Sequence, residues 1–123
     1  MSIGIQRLLQ DLKDLGFEEV AGKSAANVDY AIIPNFEIPA GSFSGRVIEL
    51  AIPAPADYPR LPGASIHIKT EPHLLPFGST PVRNITTSQL GGEWQYWSYS
   101  FRSKPENPTA ELMSQINEIF RRN

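Results

Sequence analysis

The 123-residue sequence contains no cysteine. This absence excludes disulfide bonds, thiolate metal ligands and a thiol nucleophile from these residues. It also fits a reducing compartment, in which disulfides rarely form. We therefore expect a protein that works without thiol chemistry, and the simplest expectation for its location is the cytoplasm.

The sequence is also short of net charge and of long apolar runs. Its formal net charge is −2, which predicts no general attraction to nucleic acid or to an anionic membrane surface. No apolar run has the length of a membrane span, and the N-terminus lacks the basic and apolar pattern of a secretory signal. We expect one domain, residues 1–123, without nucleic-acid or membrane partners, and the sequence leaves the oligomeric state open.

Proline, in contrast, is abundant, with 11 residues. Residues 46–52 and 64–69 alternate apolar and polar side chains, which is typical of half-buried strands. Between them, residues 53–63 contain four prolines and one glycine. Because proline lacks an amide donor and fixes φ, this stretch cannot continue a strand ladder. The sequence therefore predicts two antiparallel strands joined by a rigid corner.

Two segments with helical periodicity lie near the ends of the chain. Residues 3–15 carry a stripe of leucine and isoleucine, with Ser2 as a candidate cap and Gly16 as a terminator. Asn107 and Pro108 suit the start of a second helix, which carries its own apolar stripe up to Phe120.

The remaining segments give weaker predictions. Residues 17–20 and 30–36 are typical of short strands, and residues 21–27 are rich in turn formers. Residues 70–92 lack periodicity, which predicts a long irregular loop of the kind that often carries function. Residues 94–101 are dense in aromatic side chains and predict a further short strand.

The corner with Tyr58-Pro59 and Pro62, between two apolar strands, resembles the ubiquitin-conjugating-enzyme-like (UBC-like) family. The segment Trp94-Gln95-Tyr96-Trp97-Ser98 is similar to a tryptophan-rich segment of bacterial UBC-like proteins. The resemblance implies an α+β fold, namely an antiparallel four-stranded meander with an N-terminal and a C-terminal helix. It also implies a bacterial modification system, whose ubiquitin-like protein or activating-enzyme homologue is the expected partner.

The active-site region departs from the family pattern. Of the family's His-Pro-Asn motif only the histidine is present, and the expected position of the cysteine falls within residues 83–86. The residues equivalent to the active-site loop are His73, Arg83, Asn84 and Thr86. No catalytic residue is expected among them, because serine or threonine would form an oxyester, which is a poorer acyl donor than a thioester.

The missing thiol favours a pseudoenzyme. We expect a non-catalytic UBC-like protein-binding module of a bacterial ubiquitin-like modification system, without a cofactor. Aromatic and cationic side chains of the first helix, the corner and the tryptophan segment are the candidate partner contacts, because Tyr and Trp are favoured interface anchors. These residues are Arg7, Lys13, Tyr58, Arg60, Trp94 and Trp97.

Two alternatives stay open. The chain could be an active conjugating enzyme whose nucleophile is altered in this sequence, with Ser79, Thr87 or Ser88 at the changed position. Less favoured is a metal-dependent hydrolase that uses His67, Glu71 and His73. No regular spacing forces these three side chains together, so no metal ligand is expected.

Overall fold

The computed structural model describes residues 3–60, 62, 64–79, 84–102 and 106–122. The helices and strands are α1 (Gly4–Asp14), β1 (Ala21–Ala25), β2 (Val28–Glu37), β3 (Val47–Ala54), β4 (Ala64–Lys69), β5 (Gly78–Ser79), β6 (Asn84–Ser88), β7 (Gly91–Ser100) and α2 (Pro108–Arg121). No helix in these ranges is long and apolar enough to cross a membrane. A helix at each end of the chain and an antiparallel sheet between them in sequence make this an α+β fold, as the sequence predicts.

The strands form one sheet in the order β1-β2-β3-β4-β7-β6-β5. The first four follow the chain as a meander, and β7 then pairs antiparallel with β4. The prediction of only four strands is wrong: within the described ranges the sheet has six strands of five or more residues and the two-residue β5. The extra strands β6 and β5 lie beyond β7 and lengthen the sheet at that edge.

The sequence predicts irregular structure for two of the strands, because most of their side chains are exposed. Residues 21–25, predicted as part of a turn, form the edge strand β1, in which no residue is buried. Ala26 and Asn27 have φ angles of 51° and 65° and make the tight turn into β2. Residues 84–88, predicted as loop, form β6, in which Ile85 and Ser88 are the buried residues among the described side chains. Residues 17–20, predicted as strand, instead form a turn.

The end of α1 confirms the predicted glycine terminator. Gly16 has a φ of 105°, and the amide of Gly16 donates to the Lys13 carbonyl at 3.0 Å. The Phe17 amide donates to the Leu12 carbonyl at 3.0 Å, which completes a Schellman motif. At the other end, Ile3 occupies the N-cap position, and the predicted cap Ser2 lies outside the described residues. Asn107 occupies the N-cap position of α2 without a capping bond from its side chain.

Both helices cover one face of the sheet. Their apolar stripes pack with Leu50, Ile66 and Trp97, all of which are fully buried in the main core. The opposite face is defined by a smaller apolar cluster of Tyr30, Ala51 and Trp94, to which no residue of α1 or α2 belongs in the described part of the chain. We call this second surface the open face.

The proline corner is tied to both helices through Tyr58. Its ring is 1% exposed, and its hydroxyl lies 2.6 Å from Oγ1 of Thr109 at the start of α2. Thr109 in turn donates to the Asp11 carboxylate of α1 at 2.6 Å. The Tyr58 carbonyl accepts from the Gly4 amide at 2.8 Å. The corner therefore lies directly beside the first turn of α1.

Candidate functional site

The loop that follows β4 is held at its start by Arg46. The Arg46 Nη2 donates to Oγ1 of Thr70 at 3.2 Å and to the carbonyl oxygen of Pro72 at 2.5 Å. Because the guanidinium is always charged and offers several donors, one side chain can fix two points of the loop. Sequence reasoning gave Arg46 no role, since the contact spans 26 residues.

The middle of the same loop is held from inside the protein. Leu74 is buried, and the carbonyl of Leu75 accepts a hydrogen bond from Gln95 Nε2 at 2.8 Å. The Gln95 Oε1 accepts from the indole nitrogen of Trp97 at 3.2 Å, so both ends of this fully buried amide are satisfied. Sequence reasoning did not predict this role of Gln95. Its position between Trp94 and Trp97 was the available signal, because an amide buried among aromatic residues requires hydrogen-bond partners.

This loop borders a cavity of about 760 Å³. Three carboxylate residues, Glu49, Glu71 and Glu93, line it together with Lys69 and His73. Lys69 Nζ lies 3.1 Å from Glu93 Oε2 and 3.5 Å from Glu49 Oε2. The hydrogen bond to Glu93, followed by the negative charge of Glu49, raises the pKa of Lys69. The amine therefore stays protonated at neutral pH and cannot serve as a nucleophile or a general base there.

His73 is exposed at this cavity, as its position on the loop predicts. Its ring packs edge-on against Phe77, with the ring centroids 5.2 Å apart, and Phe77 is itself 47% exposed. Thr86 lies elsewhere, on β6 opposite Tyr96, and lines a different cavity. The structure therefore does not bring the four residues predicted for the active-site loop together among the described residues. Asn84 is the first residue of β6 and pairs with Ser79. Arg83 lies outside the described residues.

His67 is buried on the open face. Its Nδ1 lies 2.6 Å from Ser88 Oγ, and its Nε2 lies 3.3 Å from Ser65 Oγ. Burial lowers the pKa of His67 to about 4, so the ring is neutral at pH 7. His67 and His73 line different cavities. In the ranges that the structure describes, no group of three or more His, Cys, Asp or Glu side chains could hold a metal ion.

The candidate partner contacts divide into buried and exposed residues. Tyr58, Trp94 and Trp97 are 1%, 6% and 0% exposed, which leaves these side chains almost no surface for a partner. The prediction that these three side chains contact a partner is therefore corrected. Tyr58 and Trp97 belong to the main core, and Trp94 belongs to the cluster of the open face.

The cationic candidates lie at the surface. Arg7 is about one third exposed and forms an ion pair with Asp11 at 2.9 Å, within α1. Lys13 is exposed in the last turn of that helix. Arg60 is 81% exposed and lies 3.5 Å from Asp57 in the corner.

A family model described as Prokaryotic E2 family E matches residues 6–121. A search of curated proteins and a search of solved structures found no match. The matched range includes all of α1 except its first two residues, the whole sheet, the proline corner, the loop after β4 and α2. The chain therefore belongs to prokaryotic E2 family E and is an E2-like protein of the ubiquitin-like conjugation type.

Proposed function

We propose that this E2-like chain binds partners of a ubiquitin-like modification system without carrying the modifier as a thioester. The observation that carries the proposal is the absence of cysteine from all 123 residues. A thioester requires a thiol, because the thiolate both attacks well and leaves well.

Among the described side chains, Lys69 and Ser88 are poor substitutes for a thiol nucleophile. The Lys69 amine is held protonated between two carboxylates. Ser88 is 5% exposed, and its oxygen is bonded to His67 and accepts the amide hydrogen of Leu90 at 3.0 Å. A cysteine at position 88 would be equally buried. Position 88 is therefore a poor candidate for the altered nucleophile of an active conjugating enzyme. Thr87 is exposed on β6, so that alternative rests on position 87 and on Ser79.

The corner and α1 together form the surface that we propose for the partner. The Gly4 amide bonds the Tyr58 carbonyl, so the two segments adjoin and can contact one protein at once. Arg60 and Lys13 supply exposed positive charge on this surface. The corner prolines reduce the backbone entropy that binding would cost, because their φ angles are already fixed. The family supports a ubiquitin-like protein as the general partner class, and we propose an activating-enzyme homologue as the second candidate.

An adduct assay tests the lack of transfer activity. The chain is incubated with ATP, the activating enzyme and the ubiquitin-like protein, and the products are separated on non-reducing gels with and without base. We expect no adduct, while a cysteine-bearing conjugating enzyme in the same reaction forms one. A thioester or an oxyester on this chain contradicts the proposal. A native gene that encodes cysteine between Ser79 and Ser88 would favour the active enzyme instead.

A binding assay tests the surface. For Arg60→Glu we expect normal folding and weaker binding to the identified partner in calorimetric titration, because an exposed charge contributes little to stability. Arg122→Glu is the matched control, since Arg122 is 73% exposed at the far end of α2. Unchanged binding of Arg60→Glu would remove the corner from the proposed surface and leave the α1 face around Arg7 and Lys13, which Lys13→Glu tests next.

A further inference from the structure

The hydrogen bonds of the Tyr58–Thr109–Asp11 link all point in one direction, from the proline corner through α2 to α1. The Thr109 hydroxyl donates its single hydrogen to Asp11 Oδ2 at 2.6 Å. The Tyr58 hydroxyl, also 2.6 Å from Thr109 Oγ1, is therefore the donor in the other contact. The two Asp11 oxygens also accept from Arg7 Nε, at 3.0 Å and 2.9 Å. The link thus ends on a charged carboxylate that also holds a cationic side chain of α1.

Thr109 is the buried centre of this link. It lies in the first turn of α2 and is 3% exposed, whereas the side chain of Arg7 at the far end is 31% exposed. The hydrogen bond from Thr109 to the Asp11 carboxylate is charge-assisted, and it polarises the neighbouring hydrogen bond from Tyr58. One hydroxyl, inaccessible to a partner, therefore joins a core residue of the corner to the surface of α1.

A backbone contact closes the same junction from the other side. The Gly4 amide donates to the Tyr58 carbonyl at 2.8 Å, and a Cβ on Gly4 would lie 3.0 Å from the carbonyl oxygen of Ala56. The corner backbone therefore packs directly on the start of α1, while the Thr109 hydroxyl holds the side chain of the same tyrosine. Without that hydroxyl the buried Tyr58 hydroxyl loses its acceptor, a cost that movement of the corner relieves.

We propose that Thr109 is a positioning residue for the partner surface that the corner and α1 form together. This inference rests on the proposed function, because it takes that surface as the one that binds the partner. The Thr109 hydroxyl does not touch the partner. It fixes the corner relative to α1 and, through Asp11, fixes the Arg7 guanidinium, so both halves of the surface meet the partner in one arrangement. Such preorganisation lowers the entropy that binding costs.

Two variants of the full chain separate the hydroxyl of Thr109 from its methyl group. Thr109→Val keeps the shape and removes the hydroxyl, whereas Thr109→Ser keeps the hydroxyl and removes the methyl group. The first readout is amide hydrogen exchange of Gly4, whose acceptor is the Tyr58 carbonyl. We expect exchange about three- to tenfold faster in Thr109→Val, the effect of one lost hydrogen bond, and a nearly unchanged rate in Thr109→Ser. An unchanged rate in Thr109→Val, or an equal rise in both variants, overturns the inference.

The second readout is the dissociation constant, measured by calorimetric titration with the ubiquitin-like protein and, separately, with the activating-enzyme homologue. We expect it to rise about three- to tenfold in Thr109→Val and to stay nearly unchanged in Thr109→Ser. Ile116→Val is the control for a general loss of stability, because Ile116 lies on α2 but is fully buried in the main core. Unchanged affinity of Thr109→Val, or an equal loss in Thr109→Ser or Ile116→Val, overturns the inference and leaves the proposed function in place. If the unmodified protein binds neither partner, the proposed function fails, and the inference fails with it.

Discussion

Replacing Tyr58 by alanine is expected to lower the free energy of unfolding by about 3–5 kcal/mol, the range for a large aromatic side chain removed from a core. The structure sets this magnitude because the ring is 1% exposed and packs in the main core. Tyr58→Phe keeps the ring and removes only the hydroxyl that lies 2.6 Å from Thr109 Oγ1. For this variant we expect a loss of about 1 kcal/mol, the net value of one hydrogen bond.

Urea unfolding, followed by the fluorescence of the buried Trp94 and Trp97, measures both losses. Arg60→Ala is the control from the same corner, because its 81% exposed side chain should change stability by no more than about 0.5 kcal/mol. A double-mutant cycle with Thr109→Val isolates the coupling of the two hydroxyls. A loss below about 1 kcal/mol for Tyr58→Ala would refute the burial argument and restore Tyr58 as a surface contact.

Two further predictions concern pH and backbone geometry. The pKa of His67 is about 4 in the folded protein and 6.5 when unperturbed, so the unfolded chain binds the proton first as pH falls. Stability should decline between pH 6.5 and pH 4, by up to about 3 kcal/mol, and urea midpoints of His67→Gln should depend less on pH in that window. Gly41 and Gly45 have φ angles of 89° and 87°, but a Cβ would meet the Phe120 carbonyl oxygen at 2.0 Å only at Gly41. Thermal unfolding should show Gly45→Ala losing about 1–2 kcal/mol and Gly41→Ala clearly more, and equal losses would contradict the close approach.

The sequence predicts the elements in which apolar residues recur at regular spacing. β3 and β4 follow from alternation, and α1 follows from its leucine stripe and Gly16. β1 and β6 could not be predicted in this way, because β1 is an exposed edge and only two of the described side chains of β6 are buried. Their positions depend on pairing with β2 and β7, which local residue patterns do not encode.

The burial of side chains on the open face could not be predicted from the sequence either. Alternation correctly places His67 opposite Ile66 and Ile68, but it does not tell whether neighbouring strands cover that face. Tyr30 from β2 and Tyr96 from β7 enclose the ring, and their cross-strand positions emerge only from the sheet order. For the same reason the sequence predicts Trp94 as a partner contact, although it is buried beside Tyr30 and Ala51.

For the candidate site, the sequence predicts the place of one residue but not the contacts around it. The position of His73 on the loop after β4 follows from the resemblance and the break in periodicity. The two residues that anchor this loop, Arg46 and Gln95, lie 26 and 20 residues from their acceptors. Contacts over such separations are set by the tertiary fold, so a single sequence gave them no role.

The Tyr58–Thr109–Asp11 link has a consequence for the time course of folding. Its two hydrogen bonds join residues that are 51 and 98 positions apart along the chain. Contacts of such separation require nearly the whole chain to be in place first, since closing a long loop costs entropy before the contact forms. We therefore expect the link to form after the transition state. Tyr58→Phe should then speed unfolding while leaving the folding rate nearly unchanged in stopped-flow experiments.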